Sequence, residues 1–340
     1  MGYIVYFNAF KGKDIINSPY NKRQDAFADR IIRGKILDKD QNVLAETTVS
    51  EDGAETRSYP YGNLYAHVVG YATNGKAGLE SEENFNLLTS NAFILERVMN
   101  EFKDEKNIGD NMVTTLDTSL QQAAYNALGS SKGAVLVMEA STGKILAMVS
   151  KPDFDPNTLA ENWEVLNTDT ENSPLLNRAM QGQYAPGSTF KIITALEYMR
   201  EHPDYQSYSY DCAGSIQYQG TEIHCFNGMV HGMQNLAESF ANSCNASFCN
   251  IGLTLDRSAY RKTAEELLFN KSLPRILPYS KGQFAVDNKT TDEELMMTAM
   301  GQGKTLVSPY HMALITAAVA NGGTVMKPYL VSEIQNHNGA

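Results

Sequence analysis

The alternation of apolar and polar positions changes character about a third of the way along the chain. Residues 1 to about 110 are polar, loop-rich and β-leaning. Within them "RGKILDKDQNVLAET" (33–47) predicts two short strands, Ile36-Leu37 and Val43-Leu44, about the polar turn Asp38-Lys39-Asp40-Gln41-Asn42. "SNAFILERVMNEFKDE" (90–105) has helical periodicity through Phe93, Ile94, Val98 and Phe102. From about residue 111, "TTLDTSLQQAAYNALGSS" places Asp117 as an N-cap before Leu120, Ala123, Ala124, Ala127 and Leu128 on one face, with Gly129 as the stop. "GAVLVMEASTGKILAMVS" predicts a β-hairpin, both strands largely buried, with apolar runs at 134–138 and 145–149 about Ser141-Thr142-Gly143. "SPYHMALITAAVANGG" offers Ser308 as N-cap, Pro309 at the first helical position and Gly322-Gly323 as the end. Helix, hairpin and further helices predict an α+β domain with helices packed on a sheet. The expected division is an N-terminal module over 1–110 and a second domain over 111–340.

One helix carries a residue that its pattern does not accommodate. In "APGSTFKIITALEYM" (185–199) Lys191 sits between Phe190 and Ile192, in a segment whose Ile192, Ile193, Ala195, Leu196 and Met199 predict burial nearly all round. Pro186-Gly187 turns the chain into the helix, so Ser188 falls at its first positions. Residues three apart share a face, which lets the Lys191 amine reach the Ser188 hydroxyl. Burial lowers a lysine pKa, and a neutral amine beside a serine is a general base beside a nucleophile. The helix N-terminus also favours a developing oxyanion. The competing reading is an N-capping Ser with a Lys that extends to solvent. Further on, "SFANSCNASF" supplies Ser243-Cys244-Asn245, read either as a proton relay with an amide that holds the Lys and a substrate, or as an Asn capping a helix.

Composition narrows the partners. The 340 residues are 42% hydrophobic and 20% charged, with a formal net charge of −11. No Lys/Arg cluster stands out, which argues against a nucleic-acid partner. No run of 18 apolar residues occurs, so nothing within the sequence reads as a membrane span. The apolar opening "MGYIVYFNAF" is either a first strand or helix or the end of an anchor lying upstream. Four cysteines do not make a disulfide framework. Cys212 and Cys225 flank a Gly-containing polar loop, open to a small ring in an oxidising compartment or to two free thiols. His224 and His231 bracket Cys225, but the spacing fits no zinc pattern well, so neither metal nor cofactor is expected. "GQGKT" (301–305) imitates the end of a phosphate-binding loop, yet Thr298 stands where that motif needs its first Gly. Glu266, four residues before Asn270, has the spacing of a deacylating Glu loop, but reads as part of an ordinary amphipathic helix ending at Asn270.

The segments "GAVLVMEASTGKILAMVSKPDFDPN", "NRAMQGQYAPGSTFKIITA", "HGMQNLAESFANSCNASF" and "VSPYHMALITAAVANGG" resemble, in order, the landmarks of the penicillin-binding protein transpeptidase domain. "RIIRGKILDKDQNVLAET" and "RSYPYGNLYAHVVGY" resemble the N-terminal module, of pedestal or dimerisation type, in its class B, monofunctional members. The resemblance implies a D,D-transpeptidase that cross-links peptidoglycan stem peptides through a serine ester and is inhibited by β-lactams. It implies Ser188 as nucleophile, Lys191 as base, Ser243 as relay and Asn245 as the group orienting Lys191 and substrate. It further implies an extracytoplasmic enzyme with one N-terminal anchor, working beside a membrane glycan polymerase. Two rivals remain, a β-lactam hydrolase or sensor on the same fold and a non-catalytic scaffold. The family's third motif, Lys-Thr-Gly or close to it, does not occur in the sequence. It is expected beyond Ala340, so the chain alone is expected to be inactive and poorly folded in its second domain.

Overall fold

The computed structural model describes residues 29–103 and 105–340. The apolar opening segment lies outside the described residues. The fold is α+β, and the chain forms two compact units. The first takes the chain up to Gln181 with Pro274–Tyr279 and Thr316–Ala340; the second takes Gly182–Leu273 and Ser280–Ile315.

In the first unit β1 (Ile36–Leu37) and β2 (Val43–Val49) pair antiparallel about the expected polar turn. Buried Asp38 organises that turn, its carboxylate accepting from the backbone N–H of Asp40 (2.8 Å) and Asn42 (2.9 Å). Next come β3 (Glu55–Ser58), α1 (Ile94–Lys103) and β4 (Asn111–Thr114). A five-stranded sheet runs in the order Val331–Gln335, β4, β1, β2, β3, with only the β1–β4 pair parallel. Ile36 lies opposite Ala45 on one side and Met112 on the other, and all three are buried. Beside this sheet the fully buried Glu80 carboxylate receives Arg33 Nε at 2.5 Å and Arg57 Nε at 2.7 Å. Two guanidinium groups on one buried carboxylate meet the requirement that a buried charge be paired. Helix α1 forms where its periodicity predicts, but Phe93, Val98 and Phe102 are exposed, so the apolar stripe does not mark a buried face.

Helix α2 (Thr118–Leu128) begins at Asp117, whose carboxylate accepts from Ser119 N and Leu120 N, and stops at Gly129 with φ +56°. Its buried face differs from the expected one, since Gln121 and Ala124 are buried while Leu120, Ala123 and Ala127 are exposed. Gln121 can be buried because its amide is fully used: Nε2 donates to Leu64 O and Met148 O, and Oε1 accepts from Met148 N, each at 2.8 Å. The hairpin of β5 (Gly133–Met138) and β6 (Ile145–Lys151) is present and antiparallel. Strand β6 is mostly buried, but β5 is half-buried throughout rather than largely buried, because α2 packs on Ala147 and Val149 of β6.

The second unit is built around α3 (Lys191–Glu201), which continues a 3-10 turn over Gly187–Phe190. Two short ribbons follow. In one, β7 (Tyr210–Cys212) pairs with β10 (Gly232–Gln234); in the other, β8 (Ser215–Tyr218) pairs with β9 (Thr221–His224). Helices α4 (Leu236–Ala241), α5 (Asn245–Thr254), α6 (Arg257–Glu266) and α7 (Asp292–Ala299) complete it, together with the part of α8 (Pro309–Ala320) up to Ile315. Ser308 Oγ accepts from His311 N, as expected of the cap before α8. Helix α6 stops at Glu266 instead of Asn270, because Leu268 and Asn270 take left-handed φ of +70° and +60°. Phe190 sits at the centre of the core, stacked on Phe284 at 5.8 Å between centroids and edge-on to Phe269 at 5.6 Å.

Candidate active site

Ser188 lies in the 3-10 turn with its side chain exposed, two residues before the buried anchor Phe190. Gly187 turns the chain with φ +60°, and its N–H donates to Gly301 O at 2.7 Å. The approach is close: a Cβ on Gly301, itself at φ +89°, would fall 1.6 Å from the Gly187 carbonyl oxygen. This is what the first glycine of "GQGKT" does here, where no phosphate loop forms.

Lys191 does not extend to solvent; it is 1% exposed. Its Nζ lies 3.2 Å from Ser188 Oγ, 3.0 Å from Ser243 Oγ, 2.7 Å from Ser243 O and 2.8 Å from Asn245 Oδ1. All four residues singled out in the sequence therefore meet at one amine. Two of these oxygens, the Ser243 carbonyl and the Asn245 amide, can only accept. A neutral amine has two N–H groups for them and one lone pair left for a serine hydroxyl. Desolvation by burial lowers the Lys191 pKa to about 8, against an opposing pull from the thiols of Cys244, Cys249 and Cys225.

Asn245 is not a cap, since Cys244 caps α5 with its Sγ accepting from Ser247 N. The Asn245 side chain instead bridges Lys191 and the His224 carbonyl, which its Nδ2 reaches at 3.1 Å. Ser243 holds a left-handed φ of +52° that carries its carbonyl to Lys191. Strain of this kind costs about 1–3 kcal/mol and is kept where the surroundings over-determine it. A cleft of about 510 Å³ opens over Ser188, Ser243 and Asn245, with Phe226, Met229 and Met300 on its walls.

The candidate deacylating residue, Glu266, pairs instead with Arg200 at 2.8 Å on an exposed surface. The expectation of no metal centre rests on spacing alone, and it misses a convergence. Cys212, Cys225, His231 and Cys244 bring their ligand atoms within 4.8 Å of one another. His224, the other histidine flanking Cys225, is not among them. Cys212 and Cys225 are free thiols with sulfurs 3.6 Å apart.

A buried lysine shared by two serines and an asparagine, on a helix start under an open cleft, is the site expected of the penicillin-binding protein family. The chain belongs to that family: residues 133–339 match the penicillin binding protein transpeptidase domain, and residues 33–112 match the penicillin binding protein A dimerisation domain. The peptidoglycan D,D-transpeptidase PbpA of Mycolicibacterium smegmatis is 33% identical over 89% of this chain and 65% of that protein. Stage V sporulation protein D of Bacillus subtilis is 29% identical over 84% of this chain and 46% of its own length. The chain thus spans about two thirds or less of these relatives. Among solved structures, the imipenem acyl-enzyme of penicillin-binding protein A from M. tuberculosis superposes with a TM-score of 0.81 at 32% identity, over 91% of this chain and 75% of that one. A D,D-transpeptidase domain from Eggerthella lenta gives 0.80 at 31%, over 91% and 74%.

Proposed function

We propose that the protein is a peptidoglycan D,D-transpeptidase working through an acyl-enzyme at Ser188, and that β-lactams acylate the same oxygen. The contact of the buried, pKa-lowered Lys191 amine with both Ser188 and Ser243 carries this reading. In the mechanism the Lys191 lone pair takes the Ser188 proton as Oγ attacks the carbonyl of the penultimate D-Ala. The N-terminal end of α3 favours the oxyanion that develops. Ser243 then passes its proton to the departing D-Ala amine and takes the one held by Lys191, 3.0 Å away, which leaves an ester on Ser188 and a neutral lysine. The amine of a second stem peptide attacks that ester, and its proton returns by the same path. Asn245 holds Lys191 in place throughout.

Hydrolysis is the weaker reading, because no carboxylate lines the cleft among the described residues and Glu266 is committed to Arg200. Residues 1–110 are proposed as the non-catalytic module of pedestal or dimerisation type, supported by the dimerisation-domain match. Among the described residues no helix is long and apolar enough to cross a membrane. The extracytoplasmic face of the cell membrane is proposed from the family, with a glycan polymerase as neighbour; a relative from Helicobacter pylori with the same fold is solved in complex with MreC.

The test is covalent labelling. A fluorescent penicillin applied to host cells should mark this protein at Ser188, located by peptide mass mapping. Labelling that persists in Ser188→Ala refutes the assignment.

A further inference from the structure

Acyl transfer leaves four convergent side chains unused. Cys212 ends β7, Cys225 follows β9, His231 precedes β10 and Cys244 caps α5, so the group joins four separate segments of the second unit. The three cysteines are at most 3% exposed. Cys212 Sγ lies 3.6 Å from Cys225 Sγ and 3.4 Å from His231 Nδ1, and Cys225 Sγ lies 3.7 Å from Cys244 Sγ. A tetrahedral zinc with bonds of about 2.3 Å to sulfur and 2.0–2.1 Å to nitrogen has edges of about 3.8 Å between sulfurs and about 3.6 Å between sulfur and nitrogen. Those three separations lie within about 0.2 Å of these edges, and all four ligand atoms lie within 4.8 Å of one another.

We propose that Cys212, Cys225, His231 and Cys244 form a structural zinc site. A disulfide would use two of the three sulfurs and leave the third thiol and the imidazole idle, though aimed at the same point; one zinc ion uses all four groups. Two backbone N–H groups also point at the sulfurs, Gly214 N to Cys212 and Ser247 N to Cys244, both at 3.4 Å. Such donors offset the negative charge that three thiolates leave on a divalent ion. The ribbons that carry three of the ligands are pairs of strands of three or four residues, too small to be stable alone. A metal clip supplies the order that their own pairing does not. With four protein ligands the ion has no open position, so its role is to hold structure.

What it holds is the amine's surroundings. Cys244 stands between Ser243 and Asn245, and Cys225 follows His224, whose carbonyl receives the Asn245 amide. The ion therefore positions both partners of Lys191. This consequence rests on the proposed function; the zinc site itself does not.

The protein purified under a reductant without chelator should contain one zinc per chain by elemental mass spectrometry. Cobalt exchanged into the site should give the visible d–d and thiolate charge-transfer bands of a tetrahedral centre. His231→Ala, at a half-buried position where folding is least at risk, should lose at least about tenfold in zinc affinity, and Cys249→Ala, a buried thiol outside the group, should retain the metal. Metal-free protein that takes up no zinc on titration overturns the site, as does a disulfide among Cys212, Cys225 and Cys244 in acid-quenched host cells. Stripping the zinc should slow penicillin acylation at least tenfold, with recovery on re-addition. Unchanged acylation would overturn the positioning role while leaving the site intact, and failure of the zinc-loaded protein to acylate would overturn the proposed function alone.

Discussion

The Lys191 amine lies 2.7 Å from the main-chain carbonyl of Ser243, a contact that no side-chain substitution at 243 removes. The relay hydroxyl and the anchor for the base thus come from one residue but are separable by mutation. Ser243→Ala should slow acylation by about 10²-fold or more while leaving the pH midpoint near its wild-type position, since general acid–base groups contribute about 10²–10⁴ in rate. A stopped-flow penicillin assay across pH checks both quantities.

The wild-type pH profile follows from the sign of the Lys191 shift. Its folded pKa, about 8, is below the ordinary lysine value. The reactive form is the neutral amine, so the rate is lost as pH falls through that value and levels off above it. At pH 7 roughly a tenth of the amine is neutral and at pH 9 roughly nine tenths, which gives about a tenfold rise in acylation rate. A rate still climbing past pH 10 would contradict the depressed value.

Asn245→Asp places a carboxylate where a neutral amide oxygen now sits, 2.8 Å from the amine. An adjacent opposite charge favours the ammonium form, so the midpoint should move at least about one pH unit alkaline. At neutral pH acylation should fall by an order of magnitude or more, with partial recovery in alkaline buffer.

Phe190 sits in an aromatic cluster two residues from Ser188. Phe190→Ala should cost about 3–5 kcal/mol of stability in a urea melt. Phe190→Leu, which keeps much of the volume, should cost less and retain more labelling.

Gly301→Ala should displace the nucleophile turn. The new Cβ would meet the Gly187 carbonyl oxygen at 1.6 Å, at a φ of +89° that itself costs an alanine about 1–3 kcal/mol. Acylation should drop even though residue 301 touches no reacting atom, and the melting temperature should fall with it.

Short-range signals are legible in the amino-acid sequence alone. Asp117 caps α2 and Ser308 caps α8 because a cap involves only one side chain and the turn that follows it. Ser188 and Lys191 are legible as a pair because three residues apart on a helix means neighbours. Whatever depends on distant chain stays hidden. The buried face of α2 departs from its apolar pattern because Gln121 finds its partners at Leu64 and Met148. Asn245 is open to a capping reading because His224 and Lys191, which claim its amide, lie outside its own turn. The cysteine and histidine group escapes for the same reason, each ligand atom being delivered by a different segment.

Glycine in "GQGKT" marks a place where something must come nearer than a methyl group permits, and the letters do not say what. In a nucleotide-binding loop the visitor is a phosphate; at Gly301 it is the oxygen of another peptide unit. One spelling serves a ligand in one molecule and an internal hinge-pin in another. A motif search over such proteins therefore reports closeness, and only the neighbour's chemistry turns closeness into an activity.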